Sequence, residues 1–169
     1  MTSFSGKPRC IIMSASICGL DCSACSFRGQ CGGCTETGGK PFGGTCMVAL
    51  CCSRRKDTPC GDFSKNVCAL KRQLIVEFNA LGIPDMEEVT DLYALVGSYI
   101  NLQYTLPGGQ QIRFWDDNRV YLGNQLPKKG SDRCYGLTAD ERYLLVCEYG
   151  EGGTDAEIVI FRKRQTDNN

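Results

Sequence analysis

Histidine is absent from the 169 residues of this chain, and long apolar runs are absent as well. The lack of histidine excludes histidine-based catalytic triads, haem held by a histidine ligand, and metal sites of mixed cysteine and histidine ligands. No apolar run approaches the roughly 20 residues that a membrane helix needs, so no membrane association is expected. Lys and Arg number 19, as do Asp and Glu, so no net charge directs the chain to nucleic acid or to a membrane surface.

An export signal is also missing from the N-terminal sequence. Lys7 and Arg9 precede an apolar run of only three residues, 11–13, which is too short for a signal peptide. We therefore expect a cytoplasmic chain whose thiols stay reduced. Residues 1–12 are expected to be disordered or dispensable, and the sequence does not decide whether Met13 is the true start.

Large apolar side chains are scarce between residues 19 and 65. Only six Phe, Ile, Leu, Val, Trp or Tyr residues occur in this segment, which is also rich in glycine. Burial of so few groups contributes far less free energy than the conformational entropy that ordering the segment costs. The segment therefore needs another source of stability, and its cysteines are the candidates.

Cysteine is abundant in the same region: the chain has 13, and 11 of them precede residue 70. Cys22/Cys25 and Cys31/Cys34 are pairs with two residues between them, and such a turn places two sulfurs at the edge length of a metal tetrahedron. These two pairs predict one four-cysteine site, and the other ligands predict a second. The predicted metal ligands are Cys18, Cys22, Cys25, Cys31, Cys34, Cys46, Cys51, Cys60 and Cys68.

The expected metal is zinc, as two ions in closed sites that stabilise the fold and do no chemistry. An iron–sulfur cluster is the alternative, because Cys18-x3-Cys22-x2-Cys25 has the spacing of radical S-adenosylmethionine enzymes. Those enzymes need a large barrel, and the chain lacks the strand–helix repeats of one. A dithiol switch at Cys22/Cys25 would lack the βαβ pattern of a thioredoxin-like site. The ligand roles of Cys10 and Cys52 stay open, as does enzymatic activity.

The cysteine-rich region contains the runs CGLDCSAC, CGGC, CMVALCC, PCGDF and VCALK, in this order. Over residues 17–72 this pattern resembles the uncharacterised cysteine-rich family of bacteria and archaea called domain of unknown function 3795. The opening motif of the family, Cys-Gly-Leu-x-Cys-x-x-Cys, is matched at Cys18, Cys22 and Cys25. At the closing motif, Phe63 stands where a cysteine is common. The resemblance implies a zinc module and brings no known reaction or substrate.

Downstream of the cysteines, the hydrophobic pattern predicts two helices. Apolar residues recur every three or four positions over residues 67–81 and predict a helix that ends before Gly82. Asp85, with Glu88 three residues later, forms a capping box and predicts a second short helix that extends to Val96.

From Tyr99 onward, apolar and polar residues alternate with a period of two, which predicts β-strands. The predicted strands cover residues 99–106, 112–115, 119–122, 143–149 and 157–162, in an antiparallel meander of five or six strands. The predicted fold class is therefore α+β: a loop-rich, zinc-stapled module, two short helices and a small antiparallel meander. The predicted domains are a cysteine-rich zinc module (1–65), a helical connector (66–97) and an antiparallel β domain (98–169).

The predicted function is binding rather than catalysis, by an adaptor whose partner is an unknown protein or small molecule. Nucleic acid is not an expected partner. Ten Lys and Arg against five Asp and Glu give residues 1–80 a charge of +5, and two four-thiolate zinc sites of charge −2 each would lower it to about +1.

Other polar and aromatic features of the second half have structural explanations. Asp116-Asp117 and Asp140-Glu141 are expected in turns rather than in a catalytic pair. Cys134 and Cys147 are expected to be small buried residues, since no histidine can activate them. The tyrosines of the sheet are expected in its core, with a small-ligand pocket as the alternative.

Overall fold

In this computed structural model, residues 28–54 and 69–165 are described. The helices are α1 (Arg28–Cys31), α2 (Met47–Arg54), α3 (Ala69–Asn79) and α4 (Gly97–Ile100). The strands are β1 (Tyr93–Val96), β2 (Tyr104–Thr105), β3 (Gln111–Ile112), β4 (Val120–Pro127), β5 (Cys134–Ala139), β6 (Tyr143–Tyr149) and β7 (Glu157–Lys163). The order, short helices followed by an antiparallel sheet, confirms the mixed α+β class.

Five strands form one antiparallel sheet in the order β1-β4-β5-β6-β7. Successive hairpins join β4 to β7, so this part of the sheet is a meander, whereas β1 pairs with the other edge of β4. Leu122 on β4 lies opposite Ala139 on β5. A register shift between Val146 and Cys147 interrupts the pairing of β6 with β7, as a β-bulge does. Strands β2 and β3 form a separate two-stranded hairpin.

One face of the sheet packs against α2 and α3 around the larger of two hydrophobic clusters. In α3, Leu70, Leu74 and Phe78 are spaced four residues apart and therefore lie on one side of the helix. In α2, Met47 and Val48 are fully buried. The strand residues in this cluster are Val120, Leu122, Tyr135, Leu137, Ala139, Leu144 and Val146. The predicted helix at residues 67–81 is confirmed over Ala69–Asn79.

The opposite face of the sheet carries the smaller cluster, together with residues of the β2–β3 hairpin. Tyr104, Tyr121 and Leu145 are fully buried there. Trp115 packs beside them, with its ring centroid 4.6 Å from that of Tyr121. The side chain of Asn101 accepts a hydrogen bond from the Trp115 backbone N–H at 3.1 Å, which fixes the loop that carries the indole.

The second predicted helix, from the capping box at Asp85 to Val96, is wrong. Asp85 has a φ of 62°, outside the helical region, and the segment ends in strand β1. The side-chain amide of Asn79 donates to the carbonyl of Val89 at 2.9 Å and accepts from its N–H at 2.8 Å. These bonds hold extended chain that buries Val89 and Leu92 in the larger cluster. Tertiary burial and strand pairing therefore outweigh the local helix signal.

Two strand predictions also need correction. Residues 112–115 and 119–122 do not pair with each other as a hairpin, because β3 pairs with β2 and β4 pairs with β1 and β5. Strand β5, in the middle of the sheet, was not predicted at all. Gly136 and Thr138 occupy alternate positions along β5. The run is short and has a glycine in its interior, and glycine is depleted in strands, so its strand signal is weak.

The predicted cysteine module and the sheet share one hydrophobic cluster, because α2 packs directly onto β4. The N–H of Val120 donates to the carbonyl of Thr45 at 3.2 Å, and Cys46 forms a parallel bridge with Val120. The predicted boundary at 65/66 falls outside the described residues, as do residues 1–12. The division into domains 1–65, 66–97 and 98–169 stays a prediction.

Candidate functional site

The turn Cys31-Gly32-Gly33-Cys34 begins where α1 ends, and both cysteines are half-buried. Gly32 and Gly33 have φ values of 70° and 76°, a left-handed conformation that residues with a side chain rarely adopt. This backbone turns the N–H of Gly33 toward Cys31, and the N–H donates to Cys31 Sγ at 3.4 Å. This hydrogen bond fixes the position of Cys31 Sγ beside the backbone of the turn.

The loop that follows Cys34 is fixed by its own backbone hydrogen bonds. The N–H of Thr37 donates to the carbonyl of Gly33 at 3.0 Å, and its hydroxyl donates to the same oxygen at 2.6 Å. The N–H of Gly39 donates to the carbonyl of Cys34 at 2.6 Å. The two thiols of the turn are therefore held on an ordered backbone.

Cys46 and Cys51 lie on the side of this segment that faces the sheet. Cys46 precedes α2, is buried in the larger cluster, and donates its backbone N–H to the carbonyl of Gly39 at 3.1 Å. Cys51 lies within α2 and is half-buried against the same cluster. Both therefore lie where the loop-rich segment meets the sheet.

The structure places four of the nine predicted ligands, Cys31, Cys34, Cys46 and Cys51. Within residues 28–54 and 69–165, no three Cys, Asp or Glu side chains come together as a group that could hold a metal ion. Cys31 and Cys34 lie in one turn, and their role as two of the four ligands of a site is not tested by this part of the chain. The remaining predicted ligands, Cys18, Cys22, Cys25, Cys60 and Cys68, lie outside the described residues, so every ligand assignment stays a prediction.

A groove of about 850 Å³ lies on the sheet face opposite α2 and α3. Its lining comes from β1, α4, β4, β5, β6 and the turn Gly150–Gly153. The volume is within the range of small-molecule sites. Tyr99 and Tyr149 line the groove, whereas Tyr104 is buried in the core below.

Cys147 connects the groove with the smaller cluster. The Tyr104 hydroxyl donates to Cys147 Sγ at 3.7 Å, and the thiol donates to the carbonyl of Gly136 at 3.6 Å. Burial raises the pKa of Cys147 and of Tyr104. Burial, with the nearby thiols of Cys147 and Cys134 adding to it, raises the pKa of Tyr149 to about 12. All three groups therefore keep their protons near neutral pH, and Cys147 is not an activated nucleophile.

The sequence favours core positions for the sheet tyrosines and gives a small-ligand pocket as the alternative, and a glycine within a strand marks the place of the groove. Gly136 lies inside β5, where a Cβ atom would come within 2.7 Å of Tyr149 Cε1 and 3.0 Å of Cys147 Sγ. Glycine within a strand often marks a close approach of other groups to the backbone. Gly136 has this role on the floor of the groove.

None of the helices in the described part of the chain is long and apolar enough to cross a membrane. Comparison of the chain with protein-family models, with curated proteins and with solved structures finds no match. The resemblance of residues 17–72 to a cysteine-rich family therefore stays a prediction.

Proposed function

We propose that this chain is a zinc-binding protein whose four-cysteine sites are structural and whose role is to bind a partner, either a protein or a small molecule. The observation that carries the proposal is the hydrogen bond from the Gly33 N–H to Cys31 Sγ in the Cys-Gly-Gly-Cys turn. The bond holds one sulfur of a Cys-x2-Cys turn in place, and a turn of this kind chelates zinc through its two sulfurs. The shortage of large apolar side chains before residue 65 gives the metal its structural purpose.

In this proposal, Cys22 and Cys25 complete the site to which Cys31 and Cys34 contribute. The second site draws its ligands from Cys18, Cys46, Cys51, Cys60 and Cys68. Zinc has no redox chemistry, and a closed four-cysteine cage leaves no position for a substrate. The family resemblance supports the same assignment, and the need for free thiolates makes a reducing, cytoplasmic location part of the proposal.

The test is elemental analysis, with an absorption spectrum, of protein purified without oxygen. We expect a colourless protein with two zinc ions per chain. The double variant Cys31→Ser/Cys34→Ser should lose one zinc ion, because two of four ligands are removed from one site. The matched control Cys134→Ser/Cys147→Ala, which changes two thiols in the sheet, should keep both ions. Loss of zinc from this control would contradict the ligand assignment.

The alternative is an iron–sulfur or thiol redox protein. The observation that favours it is the spacing Cys18-x3-Cys22-x2-Cys25, which suits a cubane cluster as well as zinc. The same measurement separates the two functions. A brown protein that contains iron and sulfide in place of zinc would support the cluster and contradict the structural zinc sites.

A further inference from the structure

The groove on the sheet has a charge pattern that restricts its ligand. Its lining includes the two carboxylates Asp132 and Glu151, and no Lys or Arg is among its described lining residues. Both carboxylates are exposed at one end, beside the turn that follows β6. A cation in the groove is attracted to this end, and an anion is repelled.

Two cationic side chains of this region, Arg133 and Lys128, have Glu148 as a carboxylate partner. Arg133 donates from Nε to Glu148 at 2.7 Å and from Nη2 to the carbonyl of Asp155 at 2.9 Å. Lys128 donates to the other oxygen of Glu148 at 3.0 Å. Lys128 and Arg133 share the single carboxylate Glu148, so these three side chains together with Asp132 and Glu151 carry a net charge of −1.

Aromatic rings form much of the remaining lining. Tyr93 and Tyr99 are 54 % and 62 % exposed, and Tyr149 lies over Gly136 on the floor. The face of an aromatic ring attracts a cation within about 6 Å. The Lys71 ammonium group already uses this attraction, since it lies 5.9 Å from the ring centroid of Tyr93. Tyr149 offers the same kind of surface on the floor of the groove, and the exposed ring of Tyr99 also lines it.

We propose that this groove binds a small organic cation, an amine or quaternary ammonium group carried on an apolar body. The carboxylates at one end attract the charge, and the tyrosine rings with Leu95 and Leu102 contact the apolar body. A neutral ligand of the same shape forgoes the attraction of the two carboxylates. The inference deepens the partner-binding role proposed above and rests on it.

The test uses the full chain as isolated, with backbone amide shifts followed by NMR. Benzyltrimethylammonium is the cationic probe, benzyl alcohol the neutral one and benzenesulfonate the anionic one. We expect saturable shifts of amides in β1, β5 and the turn Gly150–Gly153 with the cation. The neutral probe should bind at least about tenfold more weakly, and the cation should lose affinity as salt is added.

Variants locate the site and its charge. Asp132→Asn/Glu151→Gln should weaken binding of the cation at least about fivefold and reduce its salt dependence. Tyr99→Ala, at an exposed position, should also weaken binding. Glu87→Gln removes an exposed carboxylate outside the groove and should leave affinity unchanged.

Three outcomes would overturn the inference: no saturable shift, equal affinity for the cation and the alcohol, or unchanged affinity in the double carboxylate variant. Zinc content is measured on the same samples. A chain that contains zinc and fails to bind the cation contradicts the groove assignment alone. A chain without zinc that binds the cation contradicts the metal proposal and supports the groove.

Discussion

Arg164 is nearly completely buried, and all three nitrogens of its guanidinium group donate hydrogen bonds. Nε and Nη2 donate to the two carboxylate oxygens of Glu77 at 2.9 and 3.0 Å, and Nη1 donates to the carbonyl of Asp140 at 3.1 Å. The contact joins the residue after β7 to α3, 87 positions earlier in the chain. Bidentate geometry and low exposure make this the kind of ion pair that contributes to stability.

Replacing Arg164 by Gln should destabilise the fold by about 3 kcal/mol, the lower end of the cost of breaking a buried pair, because it leaves the half-buried Glu77 carboxylate without its partner. The measurement is the free energy of unfolding in urea. The matched control is Arg162→Gln, at an exposed position on β7, which should change that free energy by less than about 0.5 kcal/mol. Equal effects of the two substitutions would contradict the importance assigned to the pair with Glu77.

Tyr149 predicts a loss of stability at alkaline pH. Burial raises its pKa to about 12, above the ordinary 10.0, so the folded state holds the phenol proton more tightly than the unfolded state. This contribution is fully present below pH 10.0 and is lost as the pH rises through 12. Tyr149→Phe should therefore reduce the slope of the unfolding free energy against pH in this range. An unchanged slope in the variant would show that other groups cause the alkaline loss.

The role of a residue can be predicted from the sequence where its interactions are with neighbours in the chain. Asp140 accepts the N–H of Arg142 at 2.7 Å and of Tyr143 at 2.6 Å, and so has the turn role expected for an acidic residue there. Buried Cys147 likewise matches its expected place. The pair of Arg164 with Glu77 could not be predicted, because only the folded topology brings residues so far apart in sequence together.

Strand β4 is held between β1 and β5, and Gly123 lies in its interior. A Cβ atom at Gly123 would overlap the backbone carbonyl oxygen of Leu137 on β5 and approach Leu95 Cδ1 to 3.2 Å. The obstacle is backbone in the middle of a sheet, which cannot move without breaking strand pairing. Strands β1, β4 and β5 can therefore pack this closely only because residue 123 has no side chain.

Gly123→Ala should lower the free energy of unfolding by about 3 kcal/mol, the upper end of the usual cost of overpacking. Gly108→Ala is the matched control, because a Cβ atom there meets nothing within 4 Å. The comparison requires thermal or urea unfolding of both variants. A Gly123→Ala protein as stable as the control would mean that β4 and β5 separate more easily than the structure indicates.

Elements were predictable where one local pattern dominated. The apolar spacing of Leu70, Leu74 and Phe78 predicts α3, because the same spacing that forms one face of a helix also buries it. The capping box at Asp85 failed because the two hydrogen bonds of Asn79 to Val89 hold this segment extended. The sequence contains no sign of that contact.

At the scale of the whole molecule, α2 connects the cysteine-rich segment with the sheet. The Leu122 N–H donates to Met47 Sδ at 3.2 Å, and Met47 and Val48 are fully buried over β4. Burial of side chains of this size contributes about 1.5–3 kcal/mol each. Any event that loosens the segment around α2 therefore exposes the apolar face of the sheet.

Chelation of the proposed zinc should reduce amide hydrogen-exchange protection in β4, with Leu122 and Val120 as reporters. Metal release destabilises the segment that positions Thr45 and Met47, which accept hydrogen bonds from these two amides. Amides in β6, whose neighbours are the strands β5 and β7, should lose less protection. Unchanged exchange of the Leu122 amide after complete zinc removal would show that α2 stays docked without metal.

The position of the sole tryptophan gives the molecule an internal optical reporter. Trp115 is 8 % exposed and packs on Tyr121 on the sheet face opposite α2. Its emission maximum should lie at short wavelength while the smaller cluster excludes water. The maximum should move to longer wavelength once the β2–β3 hairpin separates from the sheet and water reaches the indole. Far-ultraviolet circular dichroism records the loss of α2 and α3 separately. Loss of the helices after metal release can thus be followed by circular dichroism, and separation of the hairpin from the sheet by fluorescence, in one sample.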